Sequence, residues 1–552
     1  MTVRKSVPLA LISVAALALT ACASSDRDGG SGSEGDTGGT FTFGAAGAPS
    51  VLDPFYATDG ETFRVTRQIF EGLVEIKQGS AEMEPGLATE WKPSEDGKTW
   101  TFTLREGVKF SDGEPFNADA VCKNFERMAD QNEAAQSGPA EYWAYSMEGF
   151  GKDSLYRSCK VVDEKTVDVE VSKATSKFPV VLSLSSFAMQ SPKAMDEGKA
   201  NDVKTAGEGF EYPAYSKAPV GTGPYVLDKY DEANKTVTLK RNDDYWGEKA
   251  KNAQLVFKII PDETARRQEL QAGSIDGYDL PNPVDWKSLE DAGNDVAVRP
   301  AFNILYMGLN PKSNAKLKDL KVRQALYHAL NRDQLVKTQL PEGATVATQF
   351  IPEAVAGYNK DLQPYSYDPD EAKKLLKEAN AEGMTLRFAY PTEVTRPYMP
   401  DPQKLYEALR SDLEAVGIKV EVVTKPWNGG YLDDVDAGRY DAWLLGWTGD
   451  YDSADNFIGT FFGNLKSNQF GTSVTTYGEP LSKELREADA IVDEAERDTK
   501  YEELNKKIME EYLPGLPISH SPPALVVSDK VKGLIPSPLT AERFSSVSVG
   551  GN

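Results

Sequence analysis

The chain has 552 residues, three to four times the ~150 of a usual domain, so several packed units are expected. Apolar residues make up 40% and there are 45 glycines, an ordinary globular composition that excludes a chain disordered throughout. Against 85 Asp and Glu stand 61 Lys and Arg, a net charge of −24 that repels phosphates and anionic headgroups and excludes a general nucleic-acid binder.

Arg4 and Lys5 precede an apolar run from Val7 to Ala21, the n-region and h-region of a secretory signal, shorter than the ~20 residues a membrane span needs. Residues 1–21 therefore read as a signal peptide that is removed. The segment Leu19-Thr20-Ala21-Cys22 resembles the lipobox of bacterial lipoproteins. That resemblance implies a lipidated Cys22 as first mature residue, holding the protein on the extracytoplasmic face of the cell membrane, at the cell surface or in the periplasm. Each buried acyl CH₂ would contribute roughly 0.8 kcal/mol to that anchor. The alternative is a plain signal peptide with an accidental cysteine. Residues 22–39, rich in Gly, Ser and Asp, read as a flexible tether. Gly30, Gly32 and Gly35 satisfy GxGxxG, but neither a strand before nor a helix after supports a dinucleotide site. No later segment reads as a membrane span.

From Thr40 onward, strand-like and helix-like patterns mix without a fixed repeat, the mark of an α/β protein and not of a solenoid. Thr99–Arg105 and Thr166–Val171 alternate at period two, and Thr236–Lys240 and Leu255–Ile260 add strands. Helical spacing covers Leu320–Lys337, Asp370–Ala379 and Pro402–Val416. Pro369 is a start signal and Gly417 a stop signal. Cys122 and Cys159, an even pair in an exported chain, invite a disulfide worth roughly 3–4 kcal/mol by loop closure. Two buried free thiols are the alternative.

Five motifs in order carry a wider resemblance: Gly107–Gly113 with Phe116–Val121, Pro219–Tyr225, Arg241–Gly247, Val322–Leu326 and Asn331–Asp333. They resemble the peptide-binding class of ABC-transporter solute-binding proteins, family 5, over roughly residues 40 to 545. The resemblance implies a periplasmic-binding-protein-like bilobed α/β fold with an extra accessory domain. Domain I would combine 40–78, 206–300 and 513–552, domain II would span 79–205, and domain III 301–512. It also implies a monomer that encloses a short peptide between lobes by hinge closure and delivers it to the transmembrane subunits of an ABC permease, with no cofactor and no chemistry of its own.

The segment Gly446-Trp447-Thr448-Gly449-Asp450 closely resembles the dipeptide-binding members, in which this aspartate pairs with the peptide α-ammonium. Gly449 and Asp450 are thus expected at the ligand. Read without the resemblance, Asp450 caps a following helix or turn. Arg396, in Arg396-Pro397-Tyr398, matches the arginine that grips the peptide C-terminus, and a guanidinium fork suits a carboxylate. A surface ion pair with Glu393 or Asp401 is the other reading for Arg396. Together, Asp450 and Arg396 would measure peptide length, since a longer peptide leaves a buried charge unpaired at a cost of about 3–5 kcal/mol. Trp427 and Trp447 are candidate apolar walls or plain core. Asn428–Tyr431 carries an extra residue relative to the family pattern, which bears on where the two charges sit.

Rival cargoes are an oligosaccharide or a metal chelate, the latter needing histidine or softer ligands in the site. His328, in an amphipathic run, and His520, among prolines, read as structural, so no metal site is expected. Asp450, Asp452 and Asp455 do not fit the calcium-loop spacing. An anchored extracellular hydrolase is the remaining rival, although no nucleophile elbow, HExxH or Cys/His pair is present.

Overall fold

The computed structural model describes residues 38–550 except Glu208, Pro364, Asn428, Gly429, Lys466 and Ser467. The expected signal peptide, the Cys22 anchor, most of the tether and the inserted position at Asn428–Gly429 lie outside the described residues.

Three larger sheets organise the chain. In the first, Thr40–Ala45 runs parallel to both its neighbours, Gln254–Ile259 and Gly277–Asp279. Its alternation sends Phe41 and Phe43 inward, where both are fully buried against Phe544, which returns from the far end of the chain. Tyr225–Asp231 and Thr236–Arg241 extend this sheet on one side. On the other, Ala524–Val527 inserts antiparallel between Gly277–Asp279 and Asp295–Val298. Distant parts of the sequence thus share one core.

The second sheet is antiparallel, ordered Ala88–Pro93, Thr99–Leu104, Thr166–Val171, Tyr156–Asp163. Period-two patterning is obeyed: Trp100, Phe102 and Leu104 face the same core as Val167, Val169 and Val171. The helix Ala118–Ala129, capped by Asn117, carries Cys122 beside this sheet. Its sulfur is bonded to Cys159 on Tyr156–Asp163, with the Cα atoms 5.2 Å apart.

The third sheet runs Thr345–Val346, Gly515–His520, Asn303–Leu309, Ala442–Thr448, Thr385–Thr392, Lys419–Pro426. The expected boundary at 513 assigns Gly515–His520 to domain I, but this strand pairs with Asn303–Leu309, and the chain rejoins the first sheet only at Ala524–Val527. Its run Gly515–His520 is buried at every position, which suits the centre of either sheet, so patterning could not choose between them.

Helix boundaries follow local chemistry. Asp368 caps Pro369–Glu378 and Asp401 caps Pro402–Ala415, each accepting a backbone N–H of the first turn. Gly417 ends the second in the left-handed region, at φ +90°. The single helix expected over 320–337 is instead two, Leu320–Ala329 and Arg332–Gln339. Leu330 turns extended, and the Asn331 side chain accepts from Gln334 N to start the second helix, so a cap embedded in a helical pattern outweighs its periodicity.

Candidate functional site

A cavity of about 210 Å³ opens between three walls. The strand end Thr448–Asp450 forms one wall, Tyr142 with Ser183–Ser186 a second, and residues between Thr58 and Ile76 together with Leu539–Arg543 the third. Its volume lies below the ~300 Å³ at which pockets for drug-sized ligands begin, so a small guest suits it.

Asp450 reaches that wall because Ala442–Thr448 is a central strand, antiparallel to Asn303–Leu309 and parallel to Thr385–Thr392. As the strand ends, Gly449 N–H donates to the Phe302 carbonyl at 3.0 Å. A Cβ on Gly449 would lie 2.4 Å from the Phe302 ring and 2.7 Å from Phe457, so only glycine lets the chain pass between these buried rings. Asp450 N–H then donates to Asn456 Oδ1 at 2.7 Å. That oxygen also accepts from Trp447 Nε1 at 3.3 Å, so one buried amide fixes both residues.

The Asp450 carboxylate accepts a long hydrogen bond, 3.4 Å, from the Tyr142 hydroxyl across the cavity. Among the described residues no lysine or arginine ion-pairs with it. Burial pushes its carboxyl up to about 6, partly offset by hydrogen bonding from Asn456 and Tyr142. An ammonium placed here would meet a partly buried carboxylate with no internal competitor.

Along the wall between Thr58 and Ile76, Asp59 caps the helix Gly60–Thr66 through Thr62 N–H. Arg64 of that helix is buried in a network in which Arg299 reaches Asp279 and Glu542, each at 2.6 Å, and Arg64 itself pairs with Asp279. The two guanidinium groups hold the buried Asp279 carboxyl well below the usual carboxylate range. This network fastens the helix to the first sheet and fixes what the helix presents to the cavity: Phe63, whose ring meets Tyr142 edge-on at 5.6 Å, and Arg67 at its C-terminal end. Arg543 also lines the cavity and is paired with Glu75.

Of the expected site residues, the structure brings Asp450 and Gly449 to the cavity and leaves Arg396, Trp427 and Trp447 off its walls. Arg396 and Met399 exchange backbone hydrogen bonds in a tight turn after Thr385–Thr392, and the guanidinium stacks over Trp427 at 4.4 Å. It forms no ion pair with Glu393 or Asp401; Asp401 pairs with Lys404. Trp447 packs edge-on to Phe461, the core alternative, and Trp427 packs near Tyr431. Asp450 does not cap the 3-10 turn Ala454–Asn456 that follows; Ser453 does. Asp452 accepts Ala356 N–H and Asp455 pairs with Lys177, so the three acids point to separate partners. His328 Nδ1 lies 2.8 Å from the Ser366 carbonyl and His520 Nδ1 2.6 Å from that of Asn303; neither residue lines the cavity. Tyr142 and Arg67 belong to no motif that reveals them in advance. The Asp59-Gly60 helix start is the nearest signal, and it locates a helix without showing what the helix faces.

The mixed α/β fold, with its three sheets meeting around this cavity, is that of the periplasmic-binding-protein-like proteins, whose family-5 members are bilobed. The family model for bacterial extracellular solute-binding proteins, family 5, middle region, matches residues 82–469, and the chain belongs to that family. The dipeptide-binding protein of Escherichia coli (strain K12) is 33% identical over 92% of this chain and 94% of its own length. Heme-binding protein A of Haemophilus influenzae is 29% identical over 98% of both chains. The solved structure of a dipeptide-binding protein from Pseudoalteromonas sp. SM9913 in complex with Met-Leu superimposes with a TM-score of 0.76 at 28% identity, covering 93% of this chain and all of that one. Among the described residues no helix is long and apolar enough to cross a membrane.

Proposed function

We propose that this protein captures short peptides, di- or tripeptides, outside the cytoplasm and delivers them to an ABC permease, without chemistry of its own. The observation that carries this reading is Asp450: a partly buried carboxylate on the wall of the interlobe cavity, with no cation of the described protein paired to it. Such a group calls for a cation from the guest, and a free peptide amino terminus supplies one on a backbone any side chain tolerates. The dipeptide-binding relatives support the same cargo. The receptor acts as a monomer held to the membrane by lipid on Cys22. We place its domain boundaries as the three sheets divide: residues 40–78, 206–300 and 521–552, then 79–205, then 301–520.

Titration calorimetry with Met-Leu on Asp450→Ala tests the anchor. Loss of a buried, hydrogen-bonded charge partner costs 2–5 kcal/mol or more, so the dissociation constant is expected to rise at least about 30-fold. N-acetyl-Met-Leu, which keeps the backbone and lacks the ammonium, is expected to bind the unaltered protein equally poorly. Undiminished affinity in either experiment removes the amine anchor. Binding of oligosaccharide or of a metal chelate in place of peptide replaces the cargo, and product formed from any of them makes the protein an enzyme.

A further inference from the structure

A second cavity, of about 330 Å³, lies apart from the one that Thr448–Asp450 walls. Its volume falls where small-molecule sites begin, near ~300 Å³. The lining comes from three stretches, 67–78, 224–249 and 543–546, all built around the first sheet, whose core Phe70, Tyr225 and Phe544 share. Nothing from the second or third sheet lines it. Only Arg67 and Arg543 also border the first cavity.

The charges on these walls do not balance. Glu71 accepts three hydrogen bonds, from Thr222 at 2.7 Å, Tyr245 at 2.6 Å and Trp246 Nε1 at 2.8 Å, and Glu248 pairs with Lys251. Both acids of the lining are thus engaged. Among the cations, Arg543 is held by Glu75. Lys249, exposed at the rim, forms no ion pair among the described residues, and Asp243, which feels its charge, pairs with Arg241 at 2.8 Å. The Arg67 guanidinium forms neither an ion pair nor a hydrogen bond among the described residues. The acids that act on it, Glu542 and Glu75, answer to Arg299 at 2.6 Å and to Arg543. Burial, with Arg64 and Arg543 adding like charge, pulls the Arg67 guanidinium down to about 10. An anion beside it would relieve both effects. The Ser545 hydroxyl and the Gln78 amide, which have no partner among the described residues, add neutral donors to the same walls.

We infer that this recess is a second binding site, separate from the cargo site, for a free oxyanion of the phosphate kind. A phosphate has oxygens enough to meet the forked guanidinium, the point charge of the lysine and the neutral donors at once. The net charge of −24 repels an anionic bilayer, which favours free phosphate over a lipid headgroup. Because one part of the chain supplies every wall, the site needs neither closure of the lobes nor a peptide, and the inference does not depend on the cargo.

The test is calorimetric titration of the full-length protein with inorganic phosphate at pH 7.5, in chloride buffer of fixed ionic strength. The unaltered protein is expected to bind one phosphate. Arg67→Gln is expected to weaken it at least about 30-fold, the usual loss when a buried charge pair is broken. Lys249→Glu, which reverses a charge on the exposed rim, is expected to weaken it about tenfold while leaving Met-Leu affinity unchanged; should Arg67→Gln fail to fold, this variant decides. Asp450→Ala is expected to leave phosphate binding as it was. Absence of phosphate binding by the unaltered protein overturns the site, as does binding indifferent to Lys249→Glu. Phosphate that binds more tightly in Asp450→Ala and is displaced by Met-Leu sits in the first cavity, which also overturns it. Sedimentation with phosphatidylglycerol vesicles that depends on Lys249, without a response to phosphate, replaces the free anion by a membrane.

Discussion

Burial disfavours the charged form of Asp450, and under the proposed amine anchor this makes peptide capture fail on acidification. Its carboxyl stands at about 6 in the free protein, whereas the proposed pairing with an ammonium requires it ionised. Below that value it must give up a proton before the ammonium binds, so affinity is present at neutral pH and is lost on acidification. Between pH 7.5 and 5.0 the dissociation constant of Met-Leu is expected to rise about tenfold, a range in which the peptide amine remains largely protonated. Glu75 on the same cavity is also raised to about 6, so Asp450→Asn serves as control: its weak binding should show no such step. A flat profile in the unaltered protein, or a step that persists in the variant, would count against Asp450 as the titrating anchor. Arg396 was legible as a motif because Arg-Pro-Tyr is local. Its placement was not, because stacking on Trp427 depends on how two separated strands turn.

At the scale of elements, the strand Ala442–Thr448 does two jobs, filling the core of its sheet and then stopping where a charged residue is wanted. The stop depends on Gly449, whose hydrogen sits against two buried rings. Gly449→Ala forces a methyl into that contact, and overpacking of this kind costs about 1–3 kcal/mol. Urea unfolding is expected to show the loss, with Met-Leu affinity falling as well because Asp450 rides on the displaced backbone; an unchanged midpoint would mean the rings give way freely. The strands Thr99–Leu104 and Thr166–Val171 could be read directly, since alternation reports one buried face. The interruption at Leu330–Asn331 could not be read from periodicity, because the apolar spacing continues through it and only the cap at Asn331 marks the break.

Across the whole molecule, the stretch bearing Tyr142 is latched to the stretch bearing Asp450 by more than the cavity. Lys177 lies 3.5 Å from Asp455 and 4.0 Å from Asp489. Thr175 donates to Asp489, Ser176 N–H donates to the Asp489 carbonyl, and Tyr145 meets Thr460. Lys177→Ala leaves two largely buried carboxylates without their cation, for which about 3–5 kcal/mol of destabilisation is expected, read as a lower thermal midpoint and a larger radius by solution scattering. The effect has a pH sign. The Asp489 carboxyl is raised to about 6 by burial despite Lys177, with Asp455 adding to the rise. The folded state therefore binds more protons than the unfolded chain between the ordinary carboxyl range and pH 6, and this group's contribution to stability falls as pH rises through 6. The cost of Lys177→Ala should accordingly be smaller at pH 5 than at pH 7.5. A midpoint difference that is constant across that range would place the loss in packing and not in charge.

By itself the sequence determined what is local or compositional: export, the α/β class, the alternating strands, the capped helices, and Asp450 as an acid at a strand end. These follow from propensity, periodicity and short motifs, which neighbouring residues define together. The tertiary structure alone decided that Gly515–His520 joins the third sheet, that Phe544 closes the first core, and that Arg67 faces the space Asp450 lines while Arg396 does not. Each of these turns on contacts between residues far apart in the chain, and charge complementarity across a cavity exists only once separate lobes have been brought to face one another.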